Sequence, residues 1–544
     1  ALPLSRAAAD DTRSQLASMT LDQKIGQVLW THVFGASADD ASMARKNQLA
    51  FGDDVHTPAQ AVQKYHLGGV LYFNWSGNIS TPTNPAAVAH LSNGLQEAAR
   101  TSSTAPLAIA VDQEGGIVAR ITSPATEFPG NMALGAVNDP RAARAQGAVL
   151  GRELAALGIN VDFAPDVDVN TNPANPVIGV RSMGDDPVRV GVLGVEQIRG
   201  IQSRGVAATA KHFLADGGTQ GGKDQGDAII PETELIALHA QGYPAAIDAG
   251  ALTVMVSFSS WNGVKNHGNR SLLTDVLKQR MGFEGLVVGD WNGHGQVDGC
   301  TVTDCPQALE AGLDLFMAPD SWKGLFDTTL RQAQSGELSM ARLDDAVRRI
   351  LRVKAKLGLL DDPMREGSSN YAAIGAPDHL ALAREAVAKS LVLLKNNGSV
   401  LPIRAGAKVL VAGPGADDLA MQSGGWTISW QGTDVERSDF TNGQTIWQGI
   451  SSAVDEAGGS AQLSVDGGFT AKPDVAIVVF GEPPYAEFQG DVPTLDYQPA
   501  EASDLAMLRR LKAAGLKAIP TGVDHGIDIF NTYAEQSGGC FWRY

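Results

Sequence analysis

The chain has 544 residues, with 60 acidic side chains against 42 basic ones and a net charge of −18. That length exceeds what one hydrophobic core usually serves and predicts about two to four domains. The acidic balance excludes the basic surface that nucleic acid or an anionic membrane needs in a partner, and no apolar run reaches the roughly 20 residues of a membrane span.

Residues 11–20 read as the start of a helix. Eight apolar runs follow, at residues 25–30, 70–74, 107–112, 159–166, 206–213, 252–258, 286–290 and 313–319, each ending in polar residues and separated by helix-length segments. Short apolar runs with polar ends read as strands buried on both faces. Eight strand–helix units point to a (β/α)8 barrel, whose active face is formed by the C-terminal strand ends. Those ends carry Asp112, Asp166, Lys211 with His212, and Asp290. Any one of them alone could simply cap a strand, but several charged groups on one rim favour chemistry. Asp162 and Asp168 flank Ala164-Pro165-Asp166 and read more as turn formers. Asp290 is followed by Trp291, and a carboxylate beside an aromatic platform suits attack on a sugar.

Cys300 and Cys305 follow the seventh run at a spacing that permits a small disulfide loop over its mouth; two reduced, partly buried thiols are the alternative. Without a His-rich neighbourhood they do not suggest zinc, and no metal site is expected. Residues 340–360 read as a long amphipathic helix with a solvated basic stripe at Arg348, Arg349, Arg352 and Lys354. Asp361-Asp362-Pro363 ends it, which sets a first domain at residues 1–360 and a linker at 361–376. A second domain at 377–516 begins with a helix at 379–393. Strands at 408–413, 462–465 and 475–481 then alternate with helices near 444–457 and 499–514, an α/β layer. Gly413-Pro414-Gly415 lacks the Lys-Ser/Thr of a nucleotide loop and reads as a turn. Residues 517–544 hold Pro520, scattered glycines and one short apolar group at 527–530. They read as an atypical tail that leaves the second domain incomplete.

Four strings occur in order: Ala210-Lys211-His212-Phe213, then Gly289-Asp290-Trp291-Asn292-Gly293-His294-Gly295, then Ser390-Leu391-Val392-Leu393-Leu394-Lys395-Asn396, then Gly424-Gly425-Trp426-Thr427-Ile428-Ser429-Trp430-Gln431-Gly432. Together they resemble glycoside hydrolase family 3, in its branch of bacterial exo-β-glucan glucohydrolases and β-glucosidases, over residues 10–516. The resemblance implies a barrel followed by an α/β sandwich, with the active site between them. It implies a retaining exo-β-glucosidase that acts on a small carbohydrate without a cofactor, in an extracellular or periplasmic location after loss of a signal peptide. The oligomeric state stays open. By the same resemblance Asp290 is the nucleophile. A retaining enzyme also needs a second carboxyl about 5 to 5.5 Å away to protonate the leaving oxygen. Glu487-Phe488-Gln489-Gly490-Asp491 matches the family's motif and makes Glu487 that acid/base; Glu482 is the fallback, with capping of its strand as its other role. Asp112, Arg181, Lys211 and His212 would grip the terminal sugar. Trp291 and Trp430 would clamp the next one, core packing being the alternative for each.

Two strings depart from this branch. Val111-Asp112-Gln113-Glu114-Gly115-Gly116 and Asn175-Pro176-Val177-Ile178-Gly179-Val180-Arg181-Ser182 look more like the family's N-acetyl-β-glucosaminidases, so that activity is the first alternative. That branch carries its acid as a His in the loop after Lys-His-Phe, whereas residues 214–227 contain no His. An acid must lie within reach of the leaving oxygen, so Glu487 is favoured. A catalytically inactive sugar-binding relic is the alternative from another class.

Overall fold

The computed structural model describes residues 6–319, 322–364, 371–396, 398–440, 443–491, 503–522 and 540–543. Eight short strands form the first layer: β1 Leu29–His32, β2 Gly69–Leu71, β3 Ala108–Val111, β4 Val161–Asp162, β5 Ala207–Phe213, β6 Thr253–Val256, β7 Leu286–Val288 and β8 Phe316–Met317. They pair in parallel in the order β7-β6-β5-β4-β3-β2-β1-β8, and a parallel bridge from Val288 to Leu315 joins β7 to the entry of β8 and closes the circuit. Every residue of β1, β2, β3, β6 and β7 is buried, as expected of strands covered by helices outside and packed side chains inside. Packing at β1–β2 is tight: a Cβ on Gly69 would lie 2.5 Å from the Trp30 indole.

One boundary and one solvated face differ from the sequence reading. Residues 25–27 end a helix, Leu21–Gln27, rather than starting a strand, because Thr20 and Gln23 form a capping box that starts a helix there. The basic stripe is only partly solvated. Lys354 on the helix Met340–Lys356 is fully buried, donating to Gln27 Oε1 at 2.6 Å, and Arg349 donates to the Phe283 and Gly285 carbonyls at 2.9 and 3.0 Å. Aliphatic stems of this length can lie on apolar surface while their heads find acceptors.

The second sheet contains β9 Val392–Asn396, β10 Lys408–Ala412, β11 Ser460–Leu463, β12 Val475–Phe480, β13 Lys517–Gly522 and β14 Cys540–Arg543. Its order is β9-β14-β13-β12-β10-β11, with only the β9–β14 pair antiparallel. Alternate residues of β12 face opposite cores: Val478 and Phe480 pack with Leu508 and Leu511, while Ile477 and Val479 pack with Val409 and Val411. The opening helix is Pro377–Ser390, three residues shorter than the expected end, and the chain then turns into β9. Lys517–Gly522, read from the sequence as the start of an atypical tail, forms β13, which pairs with β12 along six residues, Pro520 included. A proline ordinarily demotes a strand, yet it removes one N–H and the flanking pairs hold. Residues 365–370 of the expected linker, 499–502 of the expected helix and 523–539 of the expected tail lie outside the described residues.

What holds β7 in place is a buried carboxylate. Asp314, just before β8, accepts the Val287 N–H at 2.8 Å and Lys278 Nζ at 2.6 Å, and it also pairs with Arg342. Its own N–H donates to the Val287 carbonyl at 2.9 Å. Asp290 lies three residues beyond Val287. Removing one member of a buried ion pair leaves the other charged and desolvated. Asp314→Asn should therefore lower the stability of the first urea transition by about 3 kcal/mol. Glu385→Gln, which breaks the exposed Lys389–Glu385 pair, should cost less than about 1 kcal/mol.

Candidate active site

The strands run in parallel, so their polar C-terminal residues gather at one end. Asp112 directly follows β3, and Lys211 and His212 lie within β5. Arg181 arrives on a loop shaped by Asn175, whose Oδ1 accepts the Val177 and Ile178 N–H groups at 3.0 and 2.9 Å and whose Nδ2 donates to the Asp216 carbonyl at 2.7 Å. The hub joining these residues is Glu114, which is 1% exposed. Arg181 donates to its two oxygens at 2.7 and 3.0 Å, and Lys211 Nζ lies 2.6 Å from it. The same Nζ reaches Asp112 Oδ1 at 3.2 Å. Burial would push the Glu114 carboxyl up, but the two cations outweigh it and hold the group well below the usual carboxylate range.

A second cluster backs the first. His212 Nδ1 and its backbone N–H both meet Asp168 Oδ2, at 2.7 and 2.9 Å, and His212 Nε2 lies 3.4 Å from Arg181. Burial alone would lower the imidazole; the Asp168 bond and charge raise it to about 9. Asp166 and Asp216 are fully buried behind it. Burial, reinforced by Asp168, pushes Asp166 well up, and burial takes Asp216 to about 7. Asp166, Asp168 and His212 offer three ligand atoms within 4.8 Å of one another. Arg181 Nε stands 3.8 Å from Asp166, so the cluster already has its cations and reads as a charge-balanced network.

Asp290 sits beyond β7 with its backbone held by a histidine. Its N–H donates to His267 Nε2 at 2.9 Å, and its Oδ1 accepts the Trp291 N–H at 2.7 Å. Burial pushes His267 down to about 3, which keeps the ring neutral and able to accept. Gly293 leaves it room, since a Cβ there would fall 2.4 Å from the imidazole. Trp291 stacks parallel to His32 at 6.5 Å and meets Phe73 edge-on at 5.4 Å.

The second domain covers this mouth with two loops. On one, Trp430 is 53% exposed and donates its indole N–H to Glu487 Oε2. Trp426, nearly buried, packs with Val118 and Ala486. Its carbonyl accepts Arg120 Nη1 at 3.1 Å, and its ring lies 5.4 Å from the Arg181 guanidinium. Thr427 bridges Ala119 and donates to the Ile117 carbonyl at 3.0 Å. The other loop carries Glu487 and is pinned on both sides of it. The Ala486 N–H donates to Gln431 Oε1 at 2.7 Å, and Asp491 Oδ1 accepts the Asp224 N–H at 3.2 Å. Glu482 pairs with Tyr485 of its own loop at 3.2 Å. Asp224 is pushed up to about 7 by burial, with Asp216, Glu487, Asp491 and Asp290 adding to the effect. Glu487 and Asp290 therefore both bear on one barrel carboxyl.

Glu114, Asp168, His267, Asp224 and Trp426 are the site residues that the sequence reading did not select. Glu114 and Trp426 lie inside strings already singled out, two and four residues from the chosen Asp112 and Trp430. Asp168 looked like a turn former, and nothing local marks His267. Cys300 and Cys305 are joined as a disulfide beyond β7. Among the described residues, no helix is long and apolar enough to cross a membrane.

Comparison with known proteins agrees with this architecture. The family model described as glycosyl hydrolase family 3 N terminal domain matches residues 20–353, and the glycosyl hydrolase family 3 C-terminal domain matches residues 391–521. A lysosomal beta glucosidase of Dictyostelium discoideum is 28% identical over 536 residues, covering 91% of this chain and 64% of that protein. A beta-N-acetylglucosaminidase/beta-glucosidase of Cellulomonas fimi is 32% identical over 413 residues, covering 72% of this chain and 67% of its own length. The crystal structure of an exo-1,3/1,4-beta-glucanase from a Pseudoalteromonas species superposes with a TM-score of 0.91 at 36% identity, over 99% of this chain and 66% of that one. The chain thus spans about two thirds of the length of these relatives.

The His212–Asp168 pair predicts a pH dependence. The folded imidazole titrates at about 9, above its unfolded value of about 6.5. Its stabilising contribution is therefore complete below about pH 6.5 and is lost as pH rises through about 9. Asp168→Asn should destabilise the protein by about 2–3 kcal/mol at pH 6, and the gap from the parent should narrow toward pH 10. Urea titrations across that range measure it, and a gap that does not vary with pH would refute the assignment.

Proposed function

Because the chain belongs to glycosyl hydrolase family 3, we propose that it is a retaining exo-β-glucosidase that removes glucose from the non-reducing ends of β-glucans, cello-oligosaccharides or β-glucosides. The observation that carries the reading is the pair of second-domain loops over the barrel mouth, one bearing Trp430 and the other, pinned at Ala486 and Asp491, bearing Glu487 hydrogen-bonded to that indole. In the proposed reaction Asp290 attacks the anomeric carbon and forms a glycosyl ester. Glu487 gives its proton to the departing oxygen; as a carboxylate it then takes a proton from the water that cleaves the ester. Asp112, Arg181, Lys211 and His212 hold the hydroxyls of the terminal sugar. Glu114 and Asp168 orient those cations without having to touch sugar. Trp291 and Trp430 offer ring faces to the sugar that leaves. The chemistry uses carboxylates alone and asks for no cofactor. The Cys300–Cys305 disulfide supports an oxidising location, extracellular or periplasmic.

A second reading, N-acetyl-β-glucosaminidase, is favoured by the Glu114 and Arg181 strings and by the double name of the Cellulomonas relative. Rates on aryl β-glucoside and aryl N-acetyl-β-glucosaminide, measured side by side, separate the two. A pocket built for one 2-substituent rejects the other, and a faster N-acetylglucosaminide would reverse the order proposed.

Asp290→Asn should lower kcat on an aryl β-glucoside by about a thousandfold or more, since no other carboxylate is assigned to form the ester. Glu487→Gln should cost about a hundredfold or more on cellobiose. Its kcat/KM should fall far less on a dinitrophenyl glucoside, whose leaving group departs without a proton, while kcat falls there too because the water step still needs Glu487. Near-parental activity in the Asp290 variant would sink the mechanism.

A further inference from the structure

Two tryptophans stand at least half exposed among the described residues, Trp430 and Trp75. Trp430 lies beside Glu487, while Trp75 has no part in the reaction described so far. It follows β2, and the residue is 50% exposed. It nonetheless belongs to a continuous set of rings that spans the mouth from β2 past β1 to β7. Phe73 stacks on it at 5.1 Å, His32 meets it at 4.5 Å, and Trp291 stands 6.3 Å away at 76°.

An indole left half in water is ordinary on a floppy surface loop, but this loop is rigidly tied. Ser76 and Asn78 are buried, and Asn78 Nδ2 donates to the Val33 and Gly35 carbonyls at 2.9 Å each. Ser76 Oγ donates to the Phe73 carbonyl at 3.0 Å, and the Gly35 N–H donates to the Ser76 carbonyl at 3.0 Å. Phe34 in the β1 loop is fixed in turn by Asn47, through bonds of 3.0 and 2.7 Å. Lys46 Nζ lies 5.4 Å from the Phe34 ring and supplies a donor at the same rim. The result is a preformed corner, one wall Trp291 and the other the exposed face of Trp75. Preformed aromatic surface binds with little ordering cost, and a flat apolar sugar face suits a ring.

We propose that Trp75 forms a further sugar-binding subsite, taking the third or a later unit of a β-linked glucose oligosaccharide whose terminal unit lies at Asp112 and whose second unit lies against Trp291. This rests on the β-glucosidase reading and extends it to substrate length: the site then prefers oligosaccharides of three or more units over short glucosides.

The test reads binding rather than turnover, which separates it from the test of the mechanism. On the Asp290→Asn background, calorimetry with cellotetraose, laminaritetraose and glucose is compared with and without Trp75→Ala. The expected result is a five- to tenfold weaker Kd, about the worth of one ring contact, for at least one tetraose, with a smaller loss for glucose. Trp75→Phe, which keeps a ring, should recover most of that loss. Equal losses for glucose and both tetraoses, or no loss for either tetraose, overturn the proposal. If neither glucose nor a tetraose binds even with Trp75 in place, the carbohydrate reading has failed and the subsite falls with it. With the unmutated nucleophile, the ratio of kcat/KM for tetraose to that for aryl glucoside should fall by a similar factor in Trp75→Ala.

Discussion

A carboxylate taken out of water must find positive partners or give up its charge, and Glu114 finds two. Arg181 grips both of its oxygens and Lys211 one. The three residues come from a short hairpin after β3, in which Gln113–Gly115 pairs antiparallel with Val118–Ala119, the loop beyond β4 and strand β5, so a single ionic knot sets the relative positions of three strand ends. The other polar residues of the rim are arranged around it. Asp112 shares Lys211, and His212 stands 3.4 Å from Arg181 while Asp168 holds it from behind. The knot sets two cations among carboxylates that would otherwise repel one another.

The mouth is completed from the other domain through packing and backbone bonds more than through charge. Trp426 fills the gap over Val118, its carbonyl takes Arg120, and Thr427 extends the barrel hairpin by one bridge. Backbone contacts of this kind fix distance more sharply than exposed ion pairs, whose long side chains keep their freedom. Ala486 and Asp491 then tie down the loop between them, so Glu487 is delivered by a segment anchored at both ends. The placement of this carboxyl depends on the interface and little on how the sheet of the second domain ends.

Asp216 and Asp224 are both pushed to about 7 by burial in the loop after Lys211-His212. Acids that stay partly protonated near neutrality limit the repulsion that so many carboxyls in one pocket would otherwise generate. They also explain how a chain of net charge −18 can gather its acids at one rim.

The eight-stranded barrel was legible in the sequence because each buried parallel strand is a short apolar run with a polar end, a signal confined to a few neighbouring residues. Asp290, Lys211 and His212 could be picked out as candidates because each stands at the polar end of an apolar run, whereas Arg181 was a candidate only through the resemblance of its string. Pro520 hid β13, since a local rule has no view of the partners on either side. What only the tertiary structure decided are pairings between distant residues: Glu114 with Arg181 across 67 positions, Arg120 with Trp426 across 306 and Lys354 with Gln27 across 327. His267 behind Asp290, across 23 positions, belongs with them. No periodicity encodes such pairs. They exist because burial removes water as an alternative partner, and each polar group must then bond to whatever the closed barrel and its covering domain bring within reach.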